Sequence, residues 1–135
     1  MQTTPTHASV VIVRPGADAL TGDRLAQFVG ISDESAGACG LSMQLVVVPP
    51  GATAEPHFHP NHETVVYLLR GRVEVVSGER LEHRHVCEAG DFVFTPAGTV
   101  HAPRNLSESE PVYLLAARND PREHEHTVPF ERILP

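Results

Sequence analysis

Lysine is absent from this sequence: all ten basic residues are arginine, and seventeen acidic residues leave a formal net charge of −7. Nucleic-acid affinity is built mainly on phosphate contacts from a basic face. Arg70, Arg72, Arg80 and Arg84 are interleaved with acidic residues, so neither DNA nor RNA is an expected partner. Long apolar runs are also missing. The longest, residues 45–50, is far short of the roughly 20 residues that span a bilayer. Residues 1–13 carry a brief VVIV run without a basic flank, so no secretory signal is read; the expectation is a cytoplasmic protein with no membrane partner. Cysteine is scarce: Cys39 and Cys87 lie 48 positions apart with no C-x-x-C pattern, which fits two reduced structural thiols better than a disulfide or zinc framework. Helical periodicity is nearly absent, the one candidate being a short turn over 23–28.

What is plentiful is β-forming sequence. Runs of Val, Ile, Leu, Phe and Tyr divided by Gly and Pro predict strands at 9–14, 42–48, 63–70, 72–77, 80–86, 91–95 and 112–117. So many short strands at close spacing indicate an all-β sandwich or barrel. The 135 residues, 41 % hydrophobic, are enough to bury a core as a single domain spanning 1–135. Residues 1–8 read as a loose arm, and 119–127 as a polar surface loop before a final strand or tail. Segment 63–70 is apolar on both faces: Val65, Tyr67 and Leu69 on one, Val66 and Leu68 on the other. A strand of that kind is covered on its outer side as well, and a homodimer is the simplest cover.

The chemistry concentrates in PHFHPNHET, residues 56–64. Alternate side chains of an extended strand share a face, so His57 and His59 can reach one ion. In a chain with nine histidines, a lone H-x-H is a weak signal. A second segment, GDFVFTPAGTVHAPRN, residues 90–105, strengthens it. There Pro96-Ala97-Gly98 ends a strand sharply, and His101 follows just past that rigid corner.

With these two segments the chain resembles the cupin superfamily. The first family motif, G-x5-H-x-H-x3,4-E-x6-G, corresponds to Gly51, His57, His59, Glu63 and Gly71; the second, G-x5-P-x-G-x2-H-x3-N, is matched by Gly90, Pro96, Gly98, His101 and Asn105. The core motifs therefore cover 51–71 and 90–105. The resemblance implies a cupin-type double-stranded β-helix, a jelly-roll-like barrel. It also implies one divalent transition metal (Fe, Mn, Ni, Cu or Zn) held by His57, His59, Glu63 and His101. Such a site suits an enzyme on a small organic molecule, either a dioxygenase or a Lewis-acid isomerase or decarboxylase, with Glu63 doubling as catalytic acid or base. A non-catalytic module that binds or senses a small ligand or a metal is the alternative from another class. Histidine ligands bind metal only when neutral, so affinity should fall as pH approaches about 6.5.

One departure from the pattern bears on the carboxylate. Seven residues separate Glu63 from Gly71, where the family has six, so counting back from Gly71 puts Thr64 at the acidic position. A bulge could return Glu63 to the interior; otherwise His62, or no residue of this stretch, completes the site. Tyr67, Phe94 and Arg104 are candidates for the substrate pocket. Arg104 would receive a substrate carboxylate, although Phe94 also suits the core and Arg104 a solvated surface. His83, His85, His124 and His126 read as surface histidines, and Cys87 as a buried structural thiol.

Overall fold

Ser42, Gln44, Val46 and Val48 are buried along one face of the strand β2 (Ser42–Val48), and Val112, Leu114 and Ala116 along β9 (Val112–Arg118). This two-residue period builds the fold. The computed structural model describes residues 9–16, 26–122 and 126–130. Two five-stranded antiparallel sheets face each other. One has the order β1 (Ala26–Ile31), β2, β9, β4 (Thr64–Arg70), β7 (Phe92–Thr95). The other runs β10 (Val128–Pro129), β3 (His57–Phe58), β8 (His101–Asn105), β5 (Arg72–Ser77), β6 (His83–Glu88). Apart from the β5–β6 hairpin, successive strands from β2 to β10 alternate between the sheets. That is the winding of a double-stranded β-helix.

Register arranges the inward side chains of the first sheet in rungs. Val48 pairs with Val112; Val46, Leu114 and Leu68 form the next rung; Gln44, Ala116, Val66 and Val93 the third; Ser42, Arg118, Thr64 and Thr95 the last. Polarity thus rises from one end of the sandwich to the other. The largest fully buried side chains are Leu68, Val48, Val73 and Val112, each contributing roughly 1.5–3 kcal/mol by leaving water. Asn105 braces that apolar end. Its Nδ2 donates to the carbonyls of Val48, Pro49 and Glu110 at 3.1, 3.1 and 2.8 Å, and its Oδ1 accepts from the Ser107 amide at 2.8 Å. Gly71 makes the tight connection from β4 to β5 at φ +95°, where an added Cβ would sit 2.9 Å from the Val112 methyl.

Several expectations change. Residues 9–16 form no strand, and Val10 and Ile12 are 90 % and 67 % exposed; β-branched composition makes a strand only where a neighbour offers a ladder. Of the turn expected at 23–28, residues 26–28 belong instead to β1, paired with β2, and 23–25 lie outside the described residues. The one described helix is a single turn, α1 (Asp33–Ala36), capped by Ser32 in a reciprocal bond with Ser35. β6 starts at His83 because 78–81 form a turn, with the Leu81 amide bonded to the Gly78 carbonyl at 2.9 Å and Leu81 at φ 52°. β8 is a strand that composition does not announce. The arm at 1–8 lies outside the described residues. No described helix is long and apolar enough to cross a membrane.

Candidate metal centre

His57 stands on β3 directly across from His101 on β8, and their ring centroids are 4.4 Å apart. His59 follows β3, with its ring 5.1 Å from His57 and 5.3 Å from His101. One ligand nitrogen from each of the three lies within 4.8 Å of the others. The corner at 96–98 secures this arrangement: the Gly98 amide donates to the His59 carbonyl at 2.8 Å, so the loop before β8 is tied to the loop after β3.

The hydrogen bonds also select a tautomer. Nδ1 of His57 lies 2.9 Å from the Glu55 carbonyl, and Nδ1 of His101 lies 2.8 Å from the Thr99 carbonyl. A carbonyl only accepts, so both Nδ1 atoms carry the proton. In the neutral rings Nε2 is then the ligand nitrogen. His59 is 3 % exposed, and Thr127 Oγ1 lies 3.3 Å from its Nδ1. Burial, reinforced by the positive charge of Arg118, lowers its pKa to about 3, so the ring stays neutral across the working range. Three imidazoles with outward partners on their distal nitrogens fit a divalent transition metal.

The expected carboxylate is not in this group. Glu63 is exposed and outside the trio, and its amide is bonded to Asn119 Oδ1 at 2.8 Å. The reason is parity: β4 begins at Thr64 with 64, 66 and 68 pointing inward, which leaves 63 before the strand. Thr64 is buried on the cavity wall. His62 is buried as well, its ring 4.6 Å from His59 and its Nδ1 3.1 Å from Asp120 Oδ2, but it does not join the trio of ligand nitrogens. Asp120 also bonds His126.

His57 and His101 line a cavity of about 330 Å³ between the sheets. Its wall is polar at one end (Gln44, Thr64, Thr95, Arg118) and apolar at the other (Val46, Leu68, Val73, Leu114). A second cavity of about 320 Å³, between the edge strands β6 and β7, shares Val75, Val93, Thr95 and His101 with the first. Of the pocket candidates, Tyr67 points outward and packs on Phe92 at 4.8 Å between centroids, because its parity is that of Val65 and Leu69. Phe94 lines only the second cavity and is 56 % exposed. Arg104 lies on the outer side of the second sheet, exposed and 4.0 Å from Glu74. His83 is exposed beside Glu82 at 3.7 Å, and His85 is exposed at the second cavity. Cys87 is buried and its thiol pKa is raised by burial and then by Asp91, as befits an inert thiol; Cys39 is exposed.

Sequence reasoning missed Arg118. The signal was available: extending the alternation 112, 114, 116 by one step puts 118 on the cavity side. The predicted strand stopped at 117.

A histidine trio that could hold a metal ion, set at the polar end of a double-stranded β-helix, marks the class of β-sandwich to which the chain belongs. The profile of the family described as "Cupin domain" matches residues 44–118, and the chain belongs to that family. It is 31 % identical over 98 residues to germin-like protein 3-1 of Oryza sativa subsp. japonica, covering 70 % of this chain and 43 % of that protein. It is 29 % identical over 111 residues to oxalate oxidase 1 of Hordeum vulgare, covering 78 % and 52 % respectively. The chain thus spans about half the length, or less, of these curated relatives. In fold it is similar to the Lactobacillus farciminis oxalate decarboxylase formate complex, with a TM-score of 0.70 at 21 % identity over 87 % of this chain and 33 % of that one.

Proposed function

We propose that the chain is a metal-dependent enzyme acting on a small organic molecule held in the 330 Å³ cavity, with His57, His59 and His101 holding one divalent transition metal among Fe, Mn, Ni, Cu and Zn. The observation that carries this reading is the convergence of three ligand nitrogens within 4.8 Å, with the His57 and His101 rings on the cavity wall. A bound metal supplies either redox chemistry, as in a dioxygenase, or Lewis-acid polarisation of a carbonyl oxygen, as in an isomerase or decarboxylase. The protein's own part is to fix two rings through the Glu55 and Thr99 carbonyls, to keep His59 neutral by burial, and to exclude water with apolar walls. A relative named oxalate oxidase supports a small-molecule site.

Protein purified without added metal is expected to carry close to one transition metal per chain. Oxygen uptake with a catechol, diketone, thiol, flavonol or oxalate identifies redox chemistry, of the dioxygenase type where both atoms of O₂ enter the product rather than hydrogen peroxide; product without uptake identifies Lewis-acid chemistry. A chain that takes up no metal even after supplementation overturns the reading. One observation favours a second reading, a non-catalytic binding module: Thr64, not a carboxylate, faces the cavity beside the trio. Metal uptake without turnover of any substrate in the panel selects it.

The outer side of the first sheet supports a homodimer. Val65, Leu69, Phe92 and Phe94 are 50, 46, 81 and 56 % exposed and lie together on β4 and its edge neighbour β7. An apolar patch of this kind is ordinarily covered. Light scattering is expected to give twice the chain mass, and Phe92→Asp to return it to the single-chain value.

A further inference from the structure

Arg118 is the feature the metal-site reading leaves unused. It ends β9 on the inward rung between Ser42 and Thr64, it lines the main cavity, and its Nε and Nη1 are shielded from solvent. A guanidinium presents five N–H donors in a planar fork, so a bond to a neighbouring protein group leaves donors for a ligand.

The charge inventory of the cavity is one-sided. Among its described lining residues there is no aspartate or glutamate; the position where a carboxylate would stand is Thr64, and Arg118 is the one fixed charge. A cation in a low-dielectric enclosure draws an anion strongly. The far end offers the opposite chemistry. Val46, Leu68, Val73 and Leu114 have no side-chain polar group to receive a second charge, and burying an unpaired charge there is prohibitive. Size points the same way. A cavity of about 330 Å³ holds about eleven water-sized groups at about 30 Å³ each, well above a six-atom dianion such as oxalate.

We propose that Arg118 anchors a monocarboxylate in this cavity, its head at the polar rung and an apolar body of roughly eight carbons against the Val46–Leu68–Leu114 floor. The proposal rests on the preceding reading only in taking this cavity as the ligand site. The anchor itself requires no metal.

Calorimetric titration with phenylacetate, its neutral amide phenylacetamide, and oxalate decides the matter, run on metal-supplemented and metal-free protein. The wild type is expected to bind phenylacetate at least about tenfold more tightly than either the amide or oxalate. Arg118→Gln is expected to weaken phenylacetate about 10- to 100-fold, the size of a charge-assisted pair. It should leave the amide and the metal content unchanged, and Arg118→Lys should recover part of the loss. Equal binding of acid and amide by the wild type overturns the proposal whether or not the variants fold. So does an Arg118→Gln protein, folded by circular dichroism, that binds the acid normally, or oxalate binding as tightly as phenylacetate. A wild type that takes up no metal removes the metal centre alone; the comparison of acid and amide on the metal-free protein then still decides the anchor.

Discussion

His101→Ala is expected to leave the protein without metal, and His57→Ala and His59→Ala to do the same, while His83→Ala retains the wild-type content. The trio offers three ligand atoms to one ion, each within 4.8 Å of the others, so removing one leaves two. Groups that merely orient a metal ligand cost 10- to 100-fold in affinity when mutated; loss of a ligand itself should exceed about 100-fold. The backbone sharpens the comparison. His57 and His101 are directly opposed across β3 and β8, so either substitution opens the same side of the site. His83 is the control because it lies on the edge strand β6, exposed and beside Glu82. Elemental analysis after dialysis, with circular dichroism to show that each variant is folded, gives the answer. Similar losses in all four variants would mean that the metal sits elsewhere or binds without a defined site.

Acidification is expected to destabilise the metal-free protein from about pH 6.5 downward. In the unfolded chain a histidine titrates near 6.5, whereas in the fold burial and then the Arg118 charge hold His59 at about 3. Between those values the unfolded state binds the extra proton and the native state does not, so stability falls with falling pH throughout the window and levels off below it. Above about pH 6.5 both states carry a neutral ring and His59 contributes no slope. The full effect is on the order of a few kcal/mol, a large share of the 5–15 kcal/mol of an ordinary domain. Urea unfolding at pH 7.5, 6 and 5 measures it, with His59→Asn as the comparison: the variant should lose much of the pH dependence over this range. Asp33 and Asp120, whose carboxyl pKa values are lowered, add acid sensitivity from the ordinary carboxylate range downward, below about pH 5, and so contribute little between pH 7.5 and 5. If wild type and variant fall equally between pH 7.5 and 5, the burial of His59 is not the cause.

The strands most legible in the sequence are those with punctuation at both ends. Residues 42–48 and 72–77 match β2 and β5 to the residue, because Pro49-Pro50, Gly71 and Ser77-Gly78 stop the apolar alternation where the chain turns. β8 was invisible as a strand: HAPRN contains a proline and little apolar alternation, and its extended form comes from pairing with β5 along its whole length. Segment 9–14 shows the converse, a strand-like composition with no strand partner among the described residues. At the site, histidine spacing and the rigid corner at 96–98 point to the convergence of His57, His59 and His101. The acidic partner could not be read, because whether 63 or 64 faces inward depends on where β4 begins, and one residue of slip reverses every side chain. Arg104 drew attention because it neighbours His101 in sequence, yet alternation sends it to the other side of the sheet.

The rungs of the first sheet separate two duties along one axis. Val48 and Val112, which secure the sandwich, occupy one end; Thr64, Thr95 and Arg118, on the cavity wall, occupy the other; Leu68 and Leu114 between them serve both the core and the cavity floor. An inherited change at 64, 95 or 118 is therefore expected to alter chemistry with less loss of folding than a change at 48 or 112. A lineage built this way can explore new substrates cheaply, and its members should diverge fastest in the last rung while their foundations stay alike.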